Sequence, residues 1–292
     1  MKTGPVGVIG TGKAACFVLR WCLAAGVPVA GVWGRRNTVA SQLGECWQVR
    51  SFATTDSLVD RAALIVIAVR DSAIHEMATR LAVSGRPVLE HPLAGKVFAH
   101  LSGLLDDSVL EPLARSGAVC GSLHPLMTLH ENSPTTGVHF FAQSRDERFF
   151  PAVLPLVEKT GNLMHRLEPS SKTAYHAAAT MLCQGISASI EAARMLLKDL
   201  DDKLFREAFG PLAAETVAER MRGFDPSTLT GPAVRGDVEV GRRHREAALI
   251  LPHGRVLADL YDAIGHMLET VRMPVPPSLD RCGRTGKGCP EP

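Results

Sequence analysis

Hydrophobic and polar positions in the first half of the chain follow two different periods. Short runs rich in β-branched residues predict strands, and intervening segments such as residues 13–25 and 72–84 carry the apolar spacing of helices. Strands that alternate with helices are typical of a parallel sheet with crossover helices. The predicted strands are residues 6–9, 27–33, 64–69, 97–101, 118–123, 138–142 and 162–167.

Beyond Ser170 the pattern becomes entirely helical. Residues 175–198 are rich in Ala, Met and Leu with few polar residues, which predicts a helix buried on most of its surface. Residues 204–222 and 242–271 predict further helices on either side of a turn-rich segment. We therefore predict a doubly wound α/β domain in residues 1–168, an all-helical C-terminal domain in 169–275 and a disordered tail in 276–292.

Composition narrows the classes of partner. The 292 residues are 46% hydrophobic and 21% charged, and their net charge of +2 is too small to indicate nucleic-acid binding. No run of about 20 apolar residues predicts a membrane span, and the N-terminus lacks the features of a secretory signal. Seven cysteines, an odd number, indicate reduced thiols and a cytoplasmic location. No cysteine or histidine spacing fits a common zinc site, so we predict no metal.

A glycine-rich turn follows the first predicted strand. Gly10, Gly12 and Ala15 form a G-x-G-x-x-A pattern that leads into the next helix. Gly10 permits the tight turn, Gly12 lets backbone N–H groups approach a pyrophosphate, and Ala15 lets the helix pack close to the sheet. The pattern predicts a Rossmann-type dinucleotide site with the phosphates at the helix N-terminus. The predicted cofactor contacts here are Gly10, Thr11, Gly12, Lys13 and Ala14, with Val69 at the end of the third strand.

Two arginines follow the second predicted strand. NAD-binding proteins usually place an acidic residue there to bind the ribose 2′-hydroxyl, whereas this chain has Arg35 and Arg36 and no acid before Glu45. Guanidinium groups suit a 2′-phosphate, which predicts NADP(H) as the cofactor. The alternative is a solvated pair of arginines after a strand.

Five segments together resemble one family. They are GVIGTGKAA (7–15), HLSG (100–103), GSLHPLMTL (121–129), KTAYHAAA (172–179) and LTGPAVRGD (229–237). The chain resembles proteins that join a Rossmann-like domain to a helical domain of unknown function 2520, relatives of ketopantoate reductase, pyrroline-5-carboxylate reductase and 6-phosphogluconate dehydrogenase. The resemblance implies a doubly wound NADP-binding domain, a helical domain that commonly forms a homodimer, and reduction of a small carbonyl or imine.

The resemblance also points to catalytic residues. Lys172 and His176 lie four residues apart and so share a helix face, a spacing at which related β-hydroxyacid dehydrogenases carry a Lys and an Asn. We predict Lys172 as general acid or oxyanion stabiliser and His176 as its partner; a solvated Lys beside a packed His is the alternative. His124, in a His-Pro step similar to that of prephenate dehydrogenases, is a further catalytic candidate, and a simple turn His competes with that reading.

Four residues are predicted to bind the substrate. Ser102 and Gly103 follow a strand end, where such folds bind ligands; Ser102 is also predicted to contact the cofactor, and a structural cap is the alternative. Gln184 stands where the family usually has Asn, which implies a different substrate fit. Arg235 is predicted to bind a substrate carboxylate through two hydrogen bonds (bidentate). The competing interpretation is a purely structural ion pair between Arg235 and Asp237.

The leading functional hypothesis is NADPH-dependent reduction of a small 2-keto acid similar to ketopantoate. An imine reductase of the pyrroline-carboxylate type and a prephenate-like dehydrogenase are the alternatives among enzymes. Outside enzymes, the alternative is a sensor or scaffold that binds NADPH without turnover, because a fold and a cofactor do not define the reacting group.

Overall fold

The computed structural model describes residues 4–83 and 93–272. Its first compact unit is built on one seven-stranded sheet in the order β2-β1-β3-β4-β5-β6-β7. Only the β5–β6 pair is antiparallel among the strands described. All seven predicted strands are confirmed, as β1 (Val6–Ile9), β2 (Val29–Trp33), β3 (Leu64–Ile67), β4 (Val97–His100), β5 (Val119–Pro125), β6 (His139–Gln143) and β7 (Leu163–Arg166).

Helices cover both faces of this sheet, because side chains of the central strands alternate between two apolar clusters. Val8 and Val66 pack in one cluster with Phe17, while Ile9 and Ile67 pack in the other. This arrangement confirms the predicted doubly wound α/β class. The helices of this part of the chain are α1 (Lys13–Ala24), α2 (Asn37–Trp47), α3 (Thr55–Arg61), α4 (Ile74–Val83), α5 (Glu111–Arg115) and α6 (Phe149–Glu158).

The described chain beyond β7 is helical, as predicted. The two compact units divide between Gly185 and Ile186, inside the long helix α7. The domain limits at residues 168 and 275 stay predictions, and the predicted tail at 276–292 lies outside the described residues. The remaining helices are α7 (Lys172–Leu196), α8 (Asp202–Arg222), α9 (Pro232–Arg235), α10 (Val238–Leu249) and α11 (Gly254–Arg272).

Two expectations about these helices were wrong. The helix predicted over residues 242–271 is interrupted between α10 and α11, where Pro252 lacks the N–H of a continuing helix and His253 adopts a φ of 61°. Helix α7 is apolar, but Lys172 is its only buried residue and Met181 is 71% exposed. The sequence pattern shows that the side chains are apolar, but it does not show whether a neighbouring element covers them. None of the described helices is long and apolar enough to cross a membrane.

Candidate active site

The glycine-rich turn joins β1 to α1. Gly10 has a φ of +135°, and a Cβ atom there would lie 2.2 Å from the carbonyl oxygen of Ala68, so the close approach of these two strands requires glycine. A Cβ atom on Gly12 would meet nothing within 4 Å. Ala15 is fully buried between α1 and the sheet, as the motif predicts. Gly10 therefore shapes the turn, and Gly12 leaves open space in front of it.

The N-terminus of α1 has free hydrogen-bond donors. Gly12 is its N-cap residue, so no side chain caps the first turn, which also contains no acidic residue. Exposed backbone N–H groups and the helix dipole favour an anion at this position. Thr11, Lys13 and Ala14 lie in or directly after the turn.

Gly10 and Gly12 give a matched pair of substitutions. We expect Gly10→Ala to lower the free energy of unfolding by about 2 kcal/mol or more, because it combines a steric clash with a φ that L-residues avoid. Gly12→Ala should leave unfolding nearly unchanged and weaken dinucleotide binding instead, since its methyl group fills the open space. Thermal or denaturant unfolding checks both variants, and equal losses of stability would contradict these assigned roles.

Arg35 and Arg36 lie between β2 and α2, and both are exposed. Neither guanidinium group forms an ion pair or hydrogen bond with the residues that the structure describes. Trp33, just before them, is buried at the end of β2. Val69 follows β3, next to the Ala68 carbonyl that Gly10 approaches. The two free cations and the glycine turn thus belong to loops at the carboxyl ends of adjacent strands.

Lys172 is buried, contrary to what is usual for a lysine, with only 2% of its surface exposed. Its Nζ donates hydrogen bonds to the carbonyl oxygen of Ser102 at 3.0 Å and to Ser122 Oγ at 2.6 Å. Burial lowers the pKa of Lys172 to about 8, and the nearby carboxylates of Asp106, Asp71 and Asp107 partly oppose that shift. The buried ammonium group therefore links the segment directly after β4 to strand β5.

His124 and Tyr175 form a hydrogen-bonded pair. The Nδ1 atom of His124, on β5, lies 2.6 Å from the Tyr175 hydroxyl on α7. Burial lowers the pKa of His124 to about 4, with further lowering by the charges of Lys172, His176 and His100, so the imidazole is neutral at physiological pH. Burial raises the pKa of Tyr175, so the phenol stays protonated. The pair therefore holds exchangeable protons without carrying a charge.

Gly103 permits His124 and His176 to approach each other. The two imidazole rings meet edge to face with centroids 6.1 Å apart. A Cβ atom on Gly103 would lie 2.5 Å from His176 Cδ2 and 3.0 Å from His124 Nε2. Gly103 thus contributes space between the two histidines, which brings the predicted residues Gly103, His124 and His176 together.

The Ser102 hydroxyl is used within the protein. It donates to Asp71 Oδ2 at 2.7 Å and accepts hydrogen bonds from the backbone N–H groups of Leu104 and Leu105. The backbone N–H of Ser102 donates to His100 Nδ1. These bonds match the structural cap that competes with a ligand-binding role, and the predicted ligand contacts of Ser102 stay predictions.

A cavity of about 650 Å³ opens beside the His124–Tyr175 pair. Its polar lining includes His124, Thr128, Tyr175, His176, Cys183 and Gln184. Its apolar lining includes Leu126, Met127, Phe141, Ala178, Ala179 and Leu182. The volume lies in the usual range for a small-molecule site, and the mainly apolar wall with a few polar groups is typical of one.

Gln184 and Arg235 differ in their surroundings. Gln184 lines the cavity, nine positions after Tyr175 on the same helix. Arg235 lies on α9 in the second compact unit, where its Nε pairs with Asp237 Oδ2 at 2.9 Å. The competing structural pair is therefore observed for Arg235, and its predicted carboxylate contact stays a prediction. Within residues 4–83 and 93–272, no group of three or more His, Cys, Asp and Glu side chains could hold a metal ion.

Lys172 also controls the charge of its neighbours, which makes a measurable prediction. We expect Lys172→Met to raise the pKa of His124 above about 4, because a positive charge that disfavours the imidazolium is removed. The value should stay below the ordinary value of 6.5, since burial is the larger cause. An NMR pH titration of the imidazole measures this, with Lys159→Met as a control at an exposed lysine. An unchanged pKa would disprove the electrostatic coupling.

Comparison with known families matches both halves of the chain. Residues 5–125 match the Rossmann-like domain, and residues 138–267 match a domain of unknown function, DUF2520. The two matches together cover most of the chain, with one family model for each half. The resemblance stated from sequence motifs is thereby confirmed for these two families, while the relationship to the individual reductases named with them stays a prediction. No curated protein sequence matches the chain.

Solved structures share the fold of this Rossmann-like and DUF2520 chain over nearly its whole length. A Bacteroides fragilis protein provisionally described as an NADP oxidoreductase has a TM-score of 0.73 at 20% identity, covering 92% of this chain and 99% of its own. A reductive aminase from Aspergillus terreus, solved with NADPH4, cyclohexanone and allyl amine, has a TM-score of 0.68 at 16% identity (92% and 93%). An imine reductase from Pseudomonas sp. has a TM-score of 0.68 at 17% identity (92% and 94%). These TM-scores show a shared fold.

Sequence reasoning missed four residues of this site: His100, Ser122, Asp71 and Tyr175. Tyr175 carried a detectable signal, because it lies three residues after Lys172 and therefore near the same helix face. Ser122 and His100 lie in two of the motifs given above. However, no local pattern predicts that Ser122 accepts a hydrogen bond from a buried lysine or that His100 accepts one from Ser102 N–H. Their roles arise from contacts between residues far apart in the sequence.

Proposed function

We propose that this protein is an NADP(H)-dependent oxidoreductase that reduces a small carbonyl or imine compound. The observation that carries the proposal is the neutral His124–Tyr175 pair, joined by a 2.6 Å hydrogen bond in the wall of an apolar cavity. Reduction of a C=O or C=N bond requires a hydride and a proton. A protonated phenol beside a neutral imidazole is suited to supply that proton.

The glycine turn and the two arginines support the cofactor. Open space at Gly12 and the uncapped α1 N-terminus fit a pyrophosphate, and the unpaired Arg35 and Arg36 fit a 2′-phosphate. Structures of the same fold include a reductive aminase solved with NADPH, which also supports this choice. When bound, the reduced nicotinamide supplies the hydride.

Tyr175 is the proton donor in this proposal. As the substrate carbon receives the hydride, the O–H bond of Tyr175 breaks and its proton forms the new O–H bond of the alcohol or N–H bond of the amine. The Nδ1–H tautomer of His124 then donates a hydrogen bond to the phenolate that remains. Solvent returns the proton to Tyr175 after release. Lys172 is the predicted general acid or oxyanion stabiliser; because its Nζ donates to the Ser102 carbonyl and to Ser122 Oγ, we assign it a positioning role instead.

A homodimer forms part of the proposal. Helices of the second unit expose large apolar side chains, among them Leu212 at 63%, Met221 at 61%, Val256 at 67% and Met267 at 57%. Large apolar side chains exposed in this number are expected to be covered at a protein interface. Light scattering tests this expectation: a mass of twice 31.3 kDa supports it, and a monomer at micromolar concentration contradicts it.

NADPH oxidation followed at 340 nm tests the function. The purified chain is mixed with NADPH and a panel of 2-keto acids, ketones, aldehydes and cyclic imines. Oxidation that depends on one compound class supports the proposal and shows whether the ketopantoate-like keto acid or the imine alternative is right. Binding of NADPH without turnover of any class would favour the sensor. Oxidation of prephenate with NADP⁺ and release of CO₂ would favour the dehydrogenase.

A further inference from the structure

Among the residues that the structure describes, the lining of the cavity beside His124 and Tyr175 contains no lysine or arginine side chain. Lys172 lies close behind it, but its Nζ is held by Ser102 and Ser122 and is not part of the lining. The His124 imidazole is neutral because its pKa is about 4. A carboxylate that leaves water to contact the apolar wall would gain no guanidinium or ammonium partner there, which is unfavourable.

The cavity is elongated along α7. Tyr175, Ala178, Ala179 and Leu182 lie at spacings of three and four, so they form one face of this helix along the cavity. Gln184 lies nine residues beyond Tyr175, which corresponds to about 13 Å along a helix axis. The Gln184 amide forms no hydrogen bond with the described residues. The lining residues of α7 thus run from Tyr175 to Gln184, with the polar side chains of Thr180 and Cys183 among the apolar ones.

We propose that this cavity takes an elongated, uncharged and mainly apolar carbonyl or imine compound, and that it discriminates against carboxylates. The reacting C=O or C=N group lies at Tyr175 and His124, and the apolar body lies along Ala178 and Leu182. This inference rests on the proposed function for the reacting group, and on the cavity lining alone for the discrimination against charge.

Two probes that differ at one carboxyl group, which is charged in the first and a neutral methyl ester in the second, test the inference. They are 2-oxo-4-phenylbutanoate and its methyl ester, which have the same keto group and the same apolar body. Calorimetric titration of the full chain with each probe should show the ester binding about 100-fold or more tightly, since only the acid must desolvate a carboxylate. Equal binding, tighter binding of the acid, or no binding of either at millimolar concentration would overturn the inference.

Leu182→Arg tests the same inference by adding a positive charge to the cavity lining. Leu182 lines the cavity and is 57% exposed, so a long side chain is accommodated there. The new guanidinium group should strengthen acid binding by about 10-fold or more and weaken ester binding. Leu23→Arg, an exposed leucine on α1 outside the cavity, is the control and should change neither affinity. If Leu182→Arg fails to fold, the two probes on the unchanged chain still decide.

NADPH oxidation with the same probes separates this inference from the proposed function. Ester binding without NADPH oxidation would retain the charge discrimination and remove the reductase proposal. Oxidation with the acid as the preferred probe would retain the reductase proposal and overturn the inference.

Discussion

Replacing Tyr175 by phenylalanine should lower kcat for the reduction by about 10²- to 10⁴-fold, the usual contribution of a positioned general acid. The change removes only the hydroxyl that lies 2.6 Å from His124 Nδ1, while the ring can keep its contact with Phe141 at 4.5 Å between centroids. NADPH binding and the unfolding temperature should therefore change little. Steady-state kinetics with the best substrate from the panel measures the effect.

The chain offers a matched control for this substitution. Tyr261 also pairs with a histidine, because its hydroxyl lies 2.9 Å from His244 Nδ1 with the rings edge to face, but it lies in the second unit. Tyr261→Phe should leave kcat nearly unchanged. A similar loss in both variants, or full activity in Tyr175→Phe, would remove Tyr175 from the mechanism.

Replacing Arg35 and Arg36 together by alanine should weaken NADPH binding by about 10²- to 10⁴-fold, because each charge-assisted contact contributes about 1.5–3 kcal/mol. NADH lacks the 2′-phosphate, so its affinity should change little and the preference for NADPH should vanish. Both arginines are exposed and unpaired with the described residues, which makes a loss of folding unexpected. Quenching of Trp33 fluorescence or calorimetry measures both affinities.

The exposed Arg61 on α3 provides the control for this double variant. Arg61→Ala should bind NADPH like the unchanged chain. An equal fall in NADPH and NADH affinity in the double variant would mean that the arginines act on the fold or on a shared part of the two cofactors. In that case the assignment to the 2′-phosphate would be wrong.

The sheet was predictable because its side chains obey a simple local rule. Val8 and Ile9 point to opposite faces, and buried parallel strands require continuous apolar runs that are visible in the sequence. The interruption at Pro252 was also visible, since proline ends helices, although the apolar spacing on either side concealed it. The turn at Gly10 was predictable for a similar reason, because the G-x-G-x-x-A pattern is local in the sequence.

The site was predictable only in part, because its chemistry depends on contacts over long sequence separations. Lys172 was predicted as a site residue from its spacing, but its burial and its hydrogen bonds to Ser102 and Ser122 could not be predicted from the sequence. The low pKa of His124 arises first from burial, which no spacing reveals. Tyr175 gains its role from a strand residue 51 positions earlier. Residue type and spacing therefore identify candidate site residues, but the chemical role of each residue depends on its tertiary contacts.

Calorimetric titration of the unchanged protein with NADPH and with NADH tests the central claim most directly. We expect NADPH to bind at least about 100-fold more tightly than NADH, since Arg35 and Arg36 bind only the phosphorylated ribose. Comparable affinities would contradict the assignment of NADP(H). Absence of binding for both cofactors would contradict the proposed oxidoreductase function altogether.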